Sequence, residues 1–289
     1  MPTARLTDGT AVDVTTRGDG PAVLLPVRTA PLDGPQAEAV RAWGADPDLG
    51  RTLADRVADA GFRVVTADLE AHLAAHPRPG TLTPEGLAAD VLAVADAAGA
   101  ERFAYYGYSW LALAGLQLAL RTDRLTGLAM GGYPPLDGPY EAMLAVTRAA
   151  HRLALAQRDA PRAAPTTAPE PGDWDAVEMT QTPEQTEQYV TLYESLAGFD
   201  DAASLGLGLP RLVVVGADDD ISYGPGWGDV EVVIAGAVVR RRAELEAAGW
   251  SVEVLPGKDH MTTMQADAVL PVLLPWLAGH VRAEARRRR

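Results

Sequence analysis

Phe103-Ala104-Tyr105-Tyr106-Gly107-Tyr108-Ser109-Trp110-Leu111-Ala112 is the stretch from which the rest of the chain is read. The apolar run 103–106 has the length and composition of a buried strand, and a helix-like run follows from Ala112 to Leu120. A serine at such a corner sits in a tight turn that pushes its hydroxyl outward, with a helix N-terminus beneath it, which suits a nucleophile. Two groups lie downstream in comparable places: Asp219 just past the strand-like run 211–215, and His260 just past the strand-like run 251–255. The chain order is nucleophile, acid, histidine, and it points to serine-based acyl transfer.

Outward from this corner the pattern repeats. Short unbroken apolar runs at 22–25, 62–66, 103–106, 125–130, 211–215 and 251–255 alternate with longer segments of helical period. Unbroken runs suit strands covered on both faces, so the pattern predicts an α/β fold with a mainly parallel, doubly wound sheet. Asp8-Gly9, between 4–7 and 10–15, reads as a hairpin turn. Asp46-Pro47-Asp48 opens a helix burying Leu49, Leu53 and Val57, and Thr83-Pro84-Glu85 opens another burying Leu87, Val91 and Val94. A helical run at 235–248 supplies the crossover between the strands that precede Asp219 and His260. Between 134 and 206 the alternation stops. Helix-like runs 140–157 and 183–196 there flank a Pro- and Ala-rich segment, 160–172.

The order and context of these residues resemble the α/β-hydrolase superfamily over nearly the whole chain. The resemblance implies a core of residues 1–133 and 207–289, with residues 134–206 inserted after the sixth strand as a helical cap. It also implies that Ser109 attacks a carbonyl, that His260 carries the proton to the leaving group, and that Asp219 orients the imidazole. The family's Gly-x-x-Asp spacing selects Asp219 from Asp218-Asp219-Asp220. Three adjacent carboxylates cannot all be buried and charged, so Asp218 and Asp220 are expected to face water. The backbone N–H of Trp110 is the first expected oxyanion donor.

Two positions depart from the family's pattern. Leu111 stands where a small residue usually follows the nucleophile by two. Pro26-Val27-Arg28-Thr29 stands where the family tends to place His-Gly, and proline donates no amide hydrogen bond. The N–H of Arg28 is therefore the expected second donor, although its guanidinium could instead point into the pocket and meet a carboxylate or carbonyl. Tyr108, Tyr133 and the Trp110 indole lie near strand ends, where they either line the pocket or pack in the core.

Composition narrows the partners. A chain of 289 residues, 47% hydrophobic, can bury a large core, and the absence of cysteine excludes disulfides and thiolate metal sites. A net charge of -14 disfavours nucleic acid, and the basic run 286–289 reads as a solvated terminal tail. Residues 134–206 hold 12 acidic side chains against 4 arginines, which disfavours anionic substrates. No metal-ligand spacing and no dinucleotide fingerprint occurs, so neither metal nor cofactor is expected. With neither a signal peptide nor a spanning helix in view, the expectation is a cytoplasmic protein outside the membrane. Of the five histidines, His72 and His76 read as loop residues after the 62–66 run, His151 falls in the insertion and His280 near the end of the terminal helix. The reading is a cofactor-independent serine hydrolase acting on an ester, thioester, lactone or related acyl bond of a largely neutral small molecule. A lyase or cyclase using the same three groups, or a binding protein on the same scaffold, are the alternatives.

Overall fold

The computed structural model describes residues 2–158 and 179–287. Its strands are β1 (Thr3–Arg5), β2 (Ala11–Asp13), β3 (Thr15–Arg17), β4 (Ala22–Leu25), β5 (Arg63–Thr66), β6 (Phe103–Tyr108), β7 (Leu125–Gly131), β8 (Arg211–Gly216), β9 (Asp220–Tyr223), β10 (Val230–Val233) and β11 (Trp250–Leu255). Seven form the central sheet in the order β11-β8-β7-β6-β4-β5-β3, all parallel except β3, which runs antiparallel to β5. The expected mainly parallel sheet is present.

Residues alternate between two separate cores along each central strand. Leu24, Val65, Tyr105, Leu128 and Val213 belong to one core, and Val23, Val64, Ala104, Ala129 and Leu212 to the other. Both faces are therefore dry, which is why these strands read as unbroken apolar runs. The first face is covered by α4 (Pro84–Ala97), α5 (Trp110–Ala119) and α8 (Ala235–Ala247), and the second by α2 (Leu49–Asp59), which follows α1 (Gly34–Ala42) in the chain, and by α10 (Ala266–Arg287). Thr83 caps α4 by accepting the Gly86 N–H, with Pro84 in the first turn.

Three local readings change. The second hairpin arm breaks at Val14: β2 pairs with β1, while β3 turns away to edge the main sheet, so the strand counted sixth in the sequence, 125–130, is the seventh. The segment after β5 is the helix α3 (Leu69–Ala75), capped by Asp68, whose carboxylate accepts the Ala71 N–H. His72 thus lies on a helix, buried, its Nε2 2.8 Å from Thr10 Oγ1. Between β8 and α8 the chain also forms an antiparallel ribbon, β9 with β10, beside the main sheet.

Within 134–206, α6 (Tyr140–Arg158) and α7 (Pro183–Ser195) pack against each other, and Arg148 reaches Glu194 at 2.7 Å. A capping box at Thr182 and Gln185 starts α7. Gln188 then ties α7 to α3 and the segment after it, accepting from the Arg78 N–H at 3.2 Å and donating to the Leu73 carbonyl at 3.2 Å. The segment 160–172 and residues 288–289 of the basic tail lie outside the described residues.

Arg78 and Asp90 form a buried ion pair at 2.7 Å, with side chains 6% and 1% exposed. Asp90 also accepts the Thr7 N–H at 2.7 Å, so the pair joins the first hairpin, α4 and the docking site of α7. Removing one partner strands a charge in low dielectric, so Asp90→Ala should cost about 3–5 kcal/mol of stability by denaturant unfolding. A loss below about 1 kcal/mol would contradict this account of the pair.

Candidate active site

Ser109 follows β6 directly and precedes α5, with φ 54° and ψ -130°. Such a backbone conformation costs a side-chain-bearing residue on the order of 1–3 kcal/mol and persists only when its surroundings enforce it. Here the Ser109 N–H is donated to the Gly131 carbonyl at 2.8 Å, and the Ser109 carbonyl accepts from Ala112 at 2.8 Å. Close packing beneath the turn falls on glycine. A Cβ on Gly107 would lie 2.3 Å from the Leu111 carbonyl oxygen, and one on Gly131 would lie 2.5 Å from the Tyr108 ring. It is the backbone of Leu111, not its side chain, that closes on the strand. The Leu111 carbonyl also accepts from Tyr105 Oη at 2.8 Å, which explains how a bulky residue is tolerated there.

Asp219 and His260 are brought together by stitched backbones. The Ala217 N–H is donated to the Leu255 carbonyl at 2.8 Å and the Asp218 N–H to the Lys258 carbonyl at 3.0 Å. Gly216 permits this approach, since a Cβ there would lie 2.0 Å from the Lys258 oxygen. Asp219 is fully buried, while Asp218 and Asp220 are exposed. Asp219 Oδ1 lies 2.8 Å from His260 Nδ1, and His260 begins the short helix α9 (His260–Thr263), capped by Asp259. Nδ1 therefore carries the proton toward the carboxylate, and Nε2 is left as the basic nitrogen.

Tyr108 links the two halves. Its hydroxyl donates to the His260 carbonyl at 2.7 Å, and its ring centroid lies 5.1 Å from the imidazole. Burial, reinforced by the charge of Asp219, pushes the phenol's pKa well up, so it stays a donor. Tyr108→Phe should leave the fold intact but lower kcat about 5–10-fold at nearly constant KM, as loss of a hydrogen bond worth about 1 kcal/mol allows His260 to wander. An unchanged kcat would show that this contact does not position the histidine.

Ser109 and His260 share the wall of a cavity of about 460 Å³ with Pro26, Arg28, Tyr108, Leu111 and Glu70, within the size range of small-molecule sites. The guanidinium of Arg28 donates to the Pro47 carbonyl at 3.2 Å, just before the start of α2. The backbone N–H groups of Arg28 and Trp110 have no acceptor among the described residues. Tyr133 is 3% exposed and packs with its ring 6.2 Å from Tyr140, in the core and not in this wall. The Trp110 indole stands behind the wall: Nε1 donates to Glu70 Oε1 at 2.8 Å, and the ring meets Tyr189 edge-on at 5.5 Å.

Glu70 is the feature that sequence reasoning missed. The signal was the Asp68 cap after β5, which places a helix start at the carboxyl edge of the sheet and residue 70 in its first turn. Among the described residues no group of three or more metal-ligating side chains is gathered, and no helix is long and apolar enough to cross a membrane.

The chain matches no protein-family model and no curated protein by sequence. Among solved structures it is similar to an esterase from Thermogutta terrifontis, at 22% identity and a TM-score of 0.56, covering 96% of this chain and 98% of that one. It is also similar to the enol-lactonase from Burkholderia xenovorans, at 21% identity and a TM-score of 0.59, covering 96% and 100%. Epoxide Hydrolase A from Mycobacterium thermoresistibile aligns at 19% identity with a TM-score of 0.53, covering 96% and 99%. Sheet order, turn geometry and these likenesses agree: the chain has the α/β-hydrolase fold.

Proposed function

We propose that the protein is a cofactor-independent serine hydrolase that cleaves an ester, thioester, lactone or related acyl bond of a small, non-anionic molecule. One observation carries the reading: His260 is hydrogen-bonded to fully buried Asp219 while it shares a cavity wall with Ser109, which is held in a strained strand-to-helix turn. Ser109 Oγ attacks the carbonyl carbon as His260 Nε2 takes its proton, and Asp219 stabilises the imidazolium that results. The tetrahedral oxygen gathers negative charge and meets the unengaged N–H groups of Arg28 and Trp110. His260 returns the proton to the leaving group, the C–O or C–S bond breaks, and an acyl group remains on Ser109. Water, activated by the same histidine, then releases the acid.

The pair α6 and α7 acts as a cap in this scheme, because α7 docks on α3 and the residues after it and sets Tyr189 against Trp110. Esterase and lactonase activities among the similar structures support acyl chemistry, whereas the epoxide hydrolase among them is a reminder that one fold hosts several reactions. Intact-protein mass spectrometry during turnover of an activated ester tests the proposal. The expected result is a transient mass increase equal to the acyl group. Turnover by elimination or cyclisation, with no adduct at any time, would replace it with a lyase or cyclase.

A further inference from the structure

Glu70 presents a carboxylate that the scheme above does not use. It stands in the first turn of α3, forms part of the same cavity wall as Ser109 and His260, and accepts one hydrogen bond, from Trp110 Nε1 at 2.8 Å. Trp110 follows Ser109 in the chain, so this acid lies one side chain away from the nucleophile. Among the described residues no arginine, lysine or histidine pairs with it. Arg28, which shares the cavity, has its guanidinium on the Pro47 carbonyl instead.

Glu70 is exposed to solvent through the cavity mouth, yet protein surrounds its carboxyl group, and that crowding, with Asp68 nearby, raises its pKa against the opposing Trp110 hydrogen bond. A carboxylate that opens into a reaction cavity with no cation beside it is placed to meet a positive group of a ligand. Two rings and an acidic helix adjoin the carboxylate. Trp110 and Tyr189 meet edge to face beside the carboxylate, and the charge of Glu70 reaches the Tyr189 phenol, adding to the burial that raises its pKa. The acidic residues of α7, the helix that carries Tyr189, add charge of the same sign nearby.

We propose that Glu70 is a specificity-determining residue that receives a cationic group of the substrate, a protonated or quaternary amine, while Ser109 attacks the acyl carbon. This rests on the hydrolase reading above and narrows its substrate class. Arg and Lys side chains, alkylamines and trimethylammonium groups share the chemistry, and the quaternary group tests charge without adding a hydrogen-bond donor.

The test compares 4-nitrophenyl esters whose acyl chains end in trimethylammonium, in the isosteric tert-butyl group, or in a hydroxyl. The wild-type protein should favour the trimethylammonium ester in kcat/KM by about 10-fold or more over both others, and Glu70→Gln should bring the ratio close to one. Calorimetric titration with tetramethylammonium chloride should give binding to wild type that Glu70→Gln loses. A wild-type preference for the tert-butyl or hydroxyl ester, or an unaltered preference in Glu70→Gln, would overturn the inference. Tetramethylammonium binding that depends on Glu70, in a protein that turns over none of the esters, would uphold the cation site and remove the acyl-transfer reading instead.

Discussion

Ser109→Ala is expected to lower kcat on an activated ester by about 10⁶-fold, the order of loss seen when a triad nucleophile is removed from a serine enzyme. The substitution is unusually clean here. Ser109 sits at φ 54°, and alanine carries the same Cβ, so the strain of the turn is unchanged and only the hydroxyl is lost. The Ser109 backbone bonds to Gly131 and Ala112 do not involve the side chain. The unfolding midpoint should therefore stay within about 2 °C of wild type, a shift that corresponds to roughly 1 kcal/mol for a chain of this size. Initial rates with a 4-nitrophenyl ester check the first statement and thermal unfolding the second. Full activity in a folded Ser109→Ala protein would end the nucleophile assignment.

Asp219→Asn should lower kcat by about 10⁴-fold with little change in KM. Two losses combine. The carboxylate that stabilises a positive imidazolium is replaced by a neutral amide, and that amide can turn its N–H toward Nδ1. The histidine would then carry its proton on Nε2, facing Ser109, and could not act as a base. Because Asp219 is fully buried and its Oδ1 is 2.8 Å from His260, neither water nor a neighbour can take over the role. Asp218→Asn provides the contrast. Its side chain is exposed, and kcat should change by less than about 2-fold, since exposed charges are screened by solvent. Comparable losses at 218 and 219 would show that the acidic turn acts through its summed charge and not through one positioned carboxylate.

The sheet was legible because its central strands are covered on both faces. Val23, Leu24 and Leu25 in β4, or Leu212 through Val215 in β8, alternate between two dry cores, and no polar residue interrupts them. Strands without that double cover were not visible. β3 is Thr15-Thr16-Arg17 at a sheet edge, and the β9–β10 ribbon is half exposed with a Gly- and Trp-containing turn between its arms, so neither leaves an apolar run. Ser109, Asp219 and His260 could be singled out because each follows a legible strand on the same edge of a parallel sheet. Glu70 could not. Its position depends on where the Trp110 indole points and on how closely protein surrounds it, neither of which is a local property of the chain. Tyr108 and Tyr133 looked equivalent in sequence, both near strand ends. Packing separated them, placing Tyr108 over Gly131 and Gly132 beside His260, and Tyr133 among Tyr140 and the core.

The claim on which the account depends is that the Ser109 hydroxyl is made nucleophilic by His260. Fluorophosphonate probes react with such a hydroxyl and not with ordinary serines, so peptide mass mapping after labelling measures it directly. The account predicts one phosphonyl adduct, on the peptide containing Ser109, absent from His260→Ala and from Ser109→Ala. A folded wild-type protein that stays unlabelled, or is labelled equally when His260 is removed, would contradict it.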